Sequence, residues 1–204
     1  MAQDAHETGC PAGTPSRILI ADEERYGLHQ RLAERFGERA GEALYTFVAA
    51  ALAIAVSGLA AFFTGQPLIF PSLGPTAYLF FESPMSRRAS PHNTLIGHAV
   101  AILAGVLSLA LFGLLDHPSV LQEGVTLARV GAATLSTAVT GAVLLLLRTS
   151  HPPAGATVLI VSLGLLQRPS ELLAVAIGVV ILTVVGWTIN RMAGIPMPVW
   201  SARD

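Results

Sequence analysis

Four long stretches of this chain contain no acidic or basic residue apart from one histidine, and they constrain the fold more than any other feature. They run over residues 43–64, 93–115, 130–147 and 172–190. Each is about 18–23 residues long, which is the length a helix needs to cross the apolar core of a bilayer. Only 12% of all residues are charged, against roughly 25% in soluble domains. The sequence therefore predicts an all-α polytopic membrane protein.

Two shorter apolar segments, residues 67–81 and 152–166, decide the number of crossings. At about 15 residues each, they suit either a re-entrant segment or a short crossing. If both cross and the N-terminus is cytoplasmic, ten of the twelve basic residues lie inside, as the positive-inside rule requires. The re-entrant alternative would place four arginines outside instead of two. We therefore predict six membrane segments.

The predicted domain organisation follows from these segments. Leu28, Leu32, Phe36 and Ala40 recur at helical spacing and predict an amphipathic helix on the membrane surface; a solvated or subunit-contacting helix is the alternative. The predicted order is a disordered cytoplasmic tail (1–27), the surface helix (28–41), a first membrane repeat (42–115), an external loop (116–124), a second membrane repeat (125–192) and a cytoplasmic C-terminal tail (193–204).

The two short segments resemble each other. A proline, a glycine and a threonine recur 81 residues apart, as Pro71, Gly74 and Thr76 and as Pro152, Gly155 and Thr157. Each short segment lies between two long ones, so the chain is long–short–long twice. Three crossings per repeat would invert the second repeat relative to the first. Inverted repeats with shortened, Gly/Pro-interrupted segments at matching positions are typical of transporters, and these segments mark the binding site.

The prolines predict where the short helices begin. Proline is unfavourable inside a helix but well accommodated in its first turn. A helix is therefore expected to start near Pro152 or Pro153, close to the membrane midplane, with Thr149 or Ser150 as its cap. Ser72 is the expected cap of the first short helix, after an extended segment over residues 65–70. Such backbone is tolerated at membrane depth only when protein buries it or it lines a cavity.

These helix starts predict a site for a small monovalent anion. Unpaired N–H groups and the helix dipole attract anions, glycine permits close approach, and threonine hydroxyls donate hydrogen bonds. The alternative is that the prolines only start helices and the glycines only pack. The candidate substrate-binding residues are Pro71, Ser72, Leu73, Gly74, Pro75, Thr76, Ser150, His151, Pro152, Pro153, Ala154, Gly155, Ala156 and Thr157.

His151 and His98 are the candidates for proton coupling. Histidine changes its charge near neutral pH, and ionisable groups within membrane segments are functional candidates. The alternative for His151 is a hydrogen bond to backbone carbonyls, and Asn93 is expected to cap its helix. No catalytic constellation and no metal-spaced set occurs. We therefore expect neither an enzyme, a cofactor, a metal site nor a nucleic-acid partner.

Ser150-His151-Pro152-Pro153-Ala154-Gly155-Ala156-Thr157, with the upstream motif that begins at Pro71, resembles the HPP family of integral membrane proteins over about residues 40–192. That resemblance implies transport of nitrite, with which members in chloroplasts and cyanobacteria are associated. Transport of nitrate, chloride or formate, or a non-transporting sensor or anchor, stays open.

The expected partners are a small inorganic anion and the lipid bilayer, and the Ala/Gly-rich spans are compatible with a homo-oligomer. All twelve basic residues are arginine, which favours a GC-rich bacterial gene and hence a bacterial inner-membrane location.

Overall fold

A computed structural model describes residues 27–201, which form helices and contain no strand. The helices are α1 (Leu28–Phe36), α2 (Glu38–Thr64), α3 (Leu73–Glu82), α4 (Pro91–Leu111), α5 (Val120–Glu123), α6 (Leu127–Leu146), α7 (Ala154–Ser162) and α8 (Pro169–Met192), with a 3-10 turn at Arg87–Ala89. Four of them, α2, α4, α6 and α8, are long and apolar enough to cross a membrane. The prediction of an all-α multi-pass protein is confirmed for this part of the chain. Nearly all of the predicted N-terminal tail, and the last three residues of the C-terminal tail, lie outside it.

The predicted surface helix is shorter than expected. It ends at Phe36 because Gly37 has a φ of 84°, a left-handed conformation that glycine adopts most readily. The next helix, α2, begins at Glu38 and includes the last predicted residues of the surface helix. At Gly41, α2 packs directly on the backbone of α1 near Ala33.

The helices pack in two groups of three, and each group includes one long helix from the other half of the chain. Helices α2 and α3 pack against each other and against α8, whereas α6 and α7 pack against each other and against α4. A further contact between α4 and α8 joins the two groups. Each group therefore combines two helices from one half of the chain with one helix from the other half.

Hydrogen bonds fix the direction of the first group. The Tyr45 hydroxyl, near the start of α2, donates to Asn190 Oδ1 near the end of α8 at 2.6 Å. Thr46 Oγ1 donates to the carbonyl of Phe81, near the end of α3, at 3.2 Å. The start of α4 lies on the same face, because the His92 amide donates to the carbonyl of Trp200, which follows α8. We call this the N-face.

A buried arginine fixes the direction of the second group. Arg129, near the start of α6, is only 1% exposed. Its Nη1 donates to the carbonyl of Ser162, the last residue of α7, at 3.3 Å. Its Nη2 donates to the carbonyl of Pro118, which follows α4, at 2.7 Å. The start of α6 and the end of α7 thus meet at the opposite face, which we call the far face.

The two short helices occupy only part of the bundle's depth. Helix α3 has 10 residues and α7 has 9; at 1.5 Å per residue both are about 14–15 Å long, roughly half of a bilayer core. Residues 67–70, before α3, have no regular secondary structure, whereas Gly65 and Gln66 of the segment predicted to be extended form a turn and a bend. The Leu68 carbonyl in this segment lies against Gly178 of α8, so protein covers the non-helical backbone as such backbone requires.

Gly178→Ala tests this packing. A Cβ at position 178 would lie 2.7 Å from the Leu68 carbonyl oxygen, a backbone atom with little freedom to move. We expect the free energy of unfolding to fall by about 1–3 kcal/mol, measured as a lower melting temperature in detergent. Gly58→Ala is the matched control in α2, because its Cβ would meet only the Ile69 Cδ1 atom at 3.6 Å. Equal melting temperatures for both variants would contradict the packing described here.

Candidate functional site

The starts of the two short helices meet inside the bundle. Ser72 Oγ, immediately before α3, lies 2.7 Å from Thr157 Oγ1 in the first turn of α7. Both residues are fully buried. The expected cap by Ser72 is wrong, because no side-chain cap is formed there and the hydroxyl is used between the helices instead. The expected cap of the second short helix by Thr149 or Ser150 is also wrong, since α7 begins after Pro153 without a side-chain cap.

His98 of α4 links the two helix starts to His151. Its Nδ1 lies 2.6 Å from Thr157 Oγ1, and its Nε2 lies 3.2 Å from both Thr76 Oγ1 and His151 Nε2. His151 Nδ1 in turn lies 2.8 Å from the Arg88 carbonyl oxygen. We call Ser72, Thr76, His98, His151 and Thr157 the histidine–hydroxyl cluster.

The Arg88 carbonyl sets the direction of the hydrogen bonds that connect it to Ser72. A carbonyl only accepts, so His151 Nδ1 carries a hydrogen and, in the neutral ring, His151 Nε2 accepts. His98 Nε2 must then donate to it, which leaves His98 Nδ1 to accept from the Thr157 hydroxyl. The Thr157 oxygen accepts from the Ser72 hydroxyl. The result is one continuous series of hydrogen bonds, in which each group donates to the next, from the Ser72 hydroxyl to the Arg88 carbonyl.

The polar cluster is unusual because it is deeply buried. The five side chains of the histidine–hydroxyl cluster are each 0–2% exposed, and among residues 27–201 no carboxylate forms a hydrogen bond or ion pair with any of them. Gly97 lets α4 come close, since a Cβ there would lie 2.8 Å from His151 Cβ. Within the described residues no group of His, Cys, Asp or Glu is arranged to hold a metal ion.

The other predicted site residues lie around the cluster. Leu73, Pro153 and Ala154 are buried, Gly155 and Ala156 are half-buried, and Pro71, Gly74, Pro75, Ser150 and Pro152 are exposed. A Cβ added at Gly74 or Gly155 would meet no atom within 4 Å. These two glycines therefore lie on outer faces of their helices and not against the cluster.

The backbone donors expected at the start of α7 are already used. The amides of residues 154–157 all donate to the carbonyls of residues 151–153, at 3.0–3.4 Å. The two prolines before them have no N–H. In this conformation, a ligand at this point would be held by hydroxyl and imidazole groups rather than by free amides of the helix end.

Asn93 and Arg88 connect the cluster to the N-face. The expected cap by Asn93 is wrong: Ser90 caps α4, and the Asn93 side chain donates to the Ser150 carbonyl at 3.0 Å. This bond ties the start of α4 to the residue before His151. The alternative named for His151, a hydrogen bond to a backbone carbonyl, is confirmed. That this carbonyl belongs to Arg88 was not predicted, because no side-chain pattern reports which carbonyl a histidine reaches.

Thr157→Val tests the bridging role of the Thr157 hydroxyl. The substitution keeps the shape of the side chain but removes the partner of both Ser72 Oγ and His98 Nδ1. We expect a loss of about 1–3 kcal/mol for the buried groups left unsatisfied, measured by thermal unfolding. Thr188→Val is the matched control, because Thr188 is an exposed helical threonine that bonds only to the Val184 carbonyl. A melting temperature equal to that of the control would contradict the bridging role.

Comparison with known proteins places the chain in a family. The sequence model of the HPP transmembrane region matches residues 37–198, which is most of the chain. The chain therefore belongs to the HPP family of membrane proteins. Searches of curated proteins and of solved structures gave no match.

Proposed function

We propose that this HPP-family protein transports a small monovalent anion across the membrane and that the histidine–hydroxyl cluster is its binding site. The observation that carries the proposal is the convergence of both short-helix starts on the two buried histidines, through Ser72, Thr76 and Thr157. Nitrite is the first candidate substrate, because the HPP resemblance implies it. Nitrate, chloride and formate are the alternatives.

Matching contacts in the two halves support an architecture of two inverted repeats with six membrane segments. Gly105 of α4 lies against Val161 of α7, and Gly186 of α8 lies against Phe80 of α3. Both members of the second pair are related to the first by the same 81-residue displacement that relates Thr76 to Thr157. The opposite directions of α3 and α7 agree with inversion. Rocking of one repeat against the other is the usual basis of alternating access in such proteins.

The two histidines break this internal symmetry. Displacement by 81 residues pairs His151 with Phe70 and His98 with Val179. Gly178 lies against the Phe70 ring just as Gly97 lies against His151. Since the fold fills the equivalent positions with apolar side chains, packing alone does not require histidine in this half. This argues for a chemical role of the pair.

The chemistry of the cluster suits an anion. Nitrite accepts hydrogen bonds through its oxygens, and hydroxyl groups can rotate to donate to it. Dehydrating an anion is costly unless oriented donors replace the water. A proton added to the histidine pair would balance the negative charge of the bound anion. We therefore assign His98 and His151 to proton coupling.

The orientation of the chain is part of the proposal. Arg87, Arg88, Arg148 and Arg191 all lie at helix ends or loops on the N-face, and the positive-inside rule makes that face cytoplasmic. The location proposed is a bacterial inner membrane. A non-transporting sensor or anchor is the alternative from another functional class.

Anion flux into proteoliposomes tests the proposal. Purified protein would be compared with empty liposomes for nitrite, nitrate, chloride and formate, with and without an inward proton gradient. We expect saturable nitrite uptake that the gradient accelerates. No flux of any of the four anions, from protein shown to be folded and inserted, would contradict transport and favour the sensor or anchor.

The double variant His98→Val with His151→Phe tests the role of the pair. It copies the apolar residues that the fold uses at the symmetry-related positions, so we expect a folded protein with nitrite flux reduced at least about 100-fold, since the loss of oriented hydrogen bonds to a charged ligand costs roughly 1.5–3 kcal/mol per bond. His117→Gln is the control, because this exposed imidazole lies on the far face. Wild-type flux in the folded double variant would exclude the pair from the site.

A further inference from the structure

The end of α6 differs from three other helix ends that share its hydrogen-bond pattern. In α4, α7 and α8 the residue in the left-handed position is Gly113, Gly164 or Gly194. In α6 it is Arg148, whose amide donates to the Leu145 carbonyl while the next amide donates to that of residue 144 at 2.9 Å. This is the Schellman arrangement, in which glycine is the usual residue.

Arg148 is held in an unfavourable backbone conformation. Its φ is 53°, and among residues 27–201 it is the only residue other than glycine with a positive φ. Side chains carrying a Cβ disfavour this region, and such outliers cluster at functional sites. Glycine would end the helix with less backbone strain, so capping alone does not explain an arginine at this position.

Two cavities meet at Arg148. The first is a vestibule of about 360 Å³ on the N-face, lined by Arg148 together with Arg87, His92, Asn93 and Thr149 among others. None of its lining residues, all within the described part of the chain, is acidic. Arg148 contributes a positive charge to this vestibule, and a cleft lined by charges of one sign raises the local concentration of oppositely charged ions.

The second cavity is a mainly apolar groove of about 600 Å³ between α6 and α7. It shares Arg148 and Thr149 with the vestibule, and it extends past Gly155 to His151. The two cavities are therefore adjacent, and the groove reaches His151 of the histidine–hydroxyl cluster. Gly155 is part of the wall of this groove, which accounts for its position away from the cluster.

The Arg148 guanidinium is available to a ligand. It is exposed, and within residues 27–201 it has no hydrogen bond or ion pair to another side chain. A guanidinium presents its N–H groups as a planar fork that binds two oxygens of an oxyanion at once. Nitrite has that pair of oxygens.

We propose that Arg148 captures the oxyanion at the junction of the vestibule and the groove and delivers it to His151. This inference rests on the proposed transport function and names the binding residue that precedes the cluster. Arg148 does not contact the cluster itself, so its removal should affect capture more than passage through the membrane.

The Arg148→Gly variant distinguishes a role in anion capture from a structural role at the end of α6. Glycine suits the left-handed backbone, so the melting temperature should equal or exceed that of the wild type. The KM for nitrite should rise roughly tenfold or more, because a charge-assisted bidentate contact is lost, while the maximal rate changes little. Arg148→Lys keeps the charge without the planar fork and should have an intermediate KM. Arg191→Gln, on the same face but outside both cavities, should leave KM unchanged.

Several results would overturn the inference. An unchanged KM in Arg148→Gly, with normal wild-type flux, would exclude Arg148 from capture and leave the proposed function intact. A lower melting temperature with an unchanged KM would make the residue structural. If the KM effect disappears in vesicles without anionic phospholipid, the arginine binds a lipid phosphate instead. Absence of saturable flux in the wild type would remove the proposed function and this inference together.

Discussion

Polar groups buried within a membrane protein must find their partners inside the protein, and the rest of this structure depends on how that requirement is met. The hydroxyls of Ser72 and Thr157 satisfy each other across the two short helices, and His98 extends the bond to a third helix. Breaking any of these contacts leaves a buried donor or acceptor without water to replace its partner. The starts of the short helices are therefore held together by the same buried groups that we propose bind the anion.

The packing contacts occur in both halves of the chain, whereas the histidines occur in only one of the two equivalent sets of positions. Glycines at equivalent positions let α4 and α8 approach the short helices of the two groups in the same manner. Hydroxyl groups at Thr76 and Thr157 follow the same symmetry. The histidines do not, since Phe70 and Val179 occupy the related positions. Contacts that repeat in both halves thus surround a pair of histidines that does not repeat, and a groove lined by both Arg148 and His151 lies beside them.

The sequence predicted the long helices, the two short helices and the non-helical segment before α3, because charge-free length and proline position act locally. The repeat also predicted that the motifs containing Ser72 and Thr157 contribute to one site. It did not predict the contact of His98 with His151, nor the outward position of Gly74 and Gly155, because spacing along a helix does not state which face meets a neighbour. The burial of Arg129 was missed for the same reason, although an arginine within an apolar run is a visible signal.

The central claim is that the histidine pair binds the transported anion. The most direct measurement is solid-state NMR of the imidazole nitrogens in protein labelled with 15N-histidine and reconstituted in lipid, during a titration with nitrite. Our account predicts saturable shifts of the His98 and His151 signals, assigned by loss of each signal in the corresponding single variant, while the His117 signal stays constant. Unchanged His98 and His151 signals at nitrite concentrations that saturate transport would contradict it.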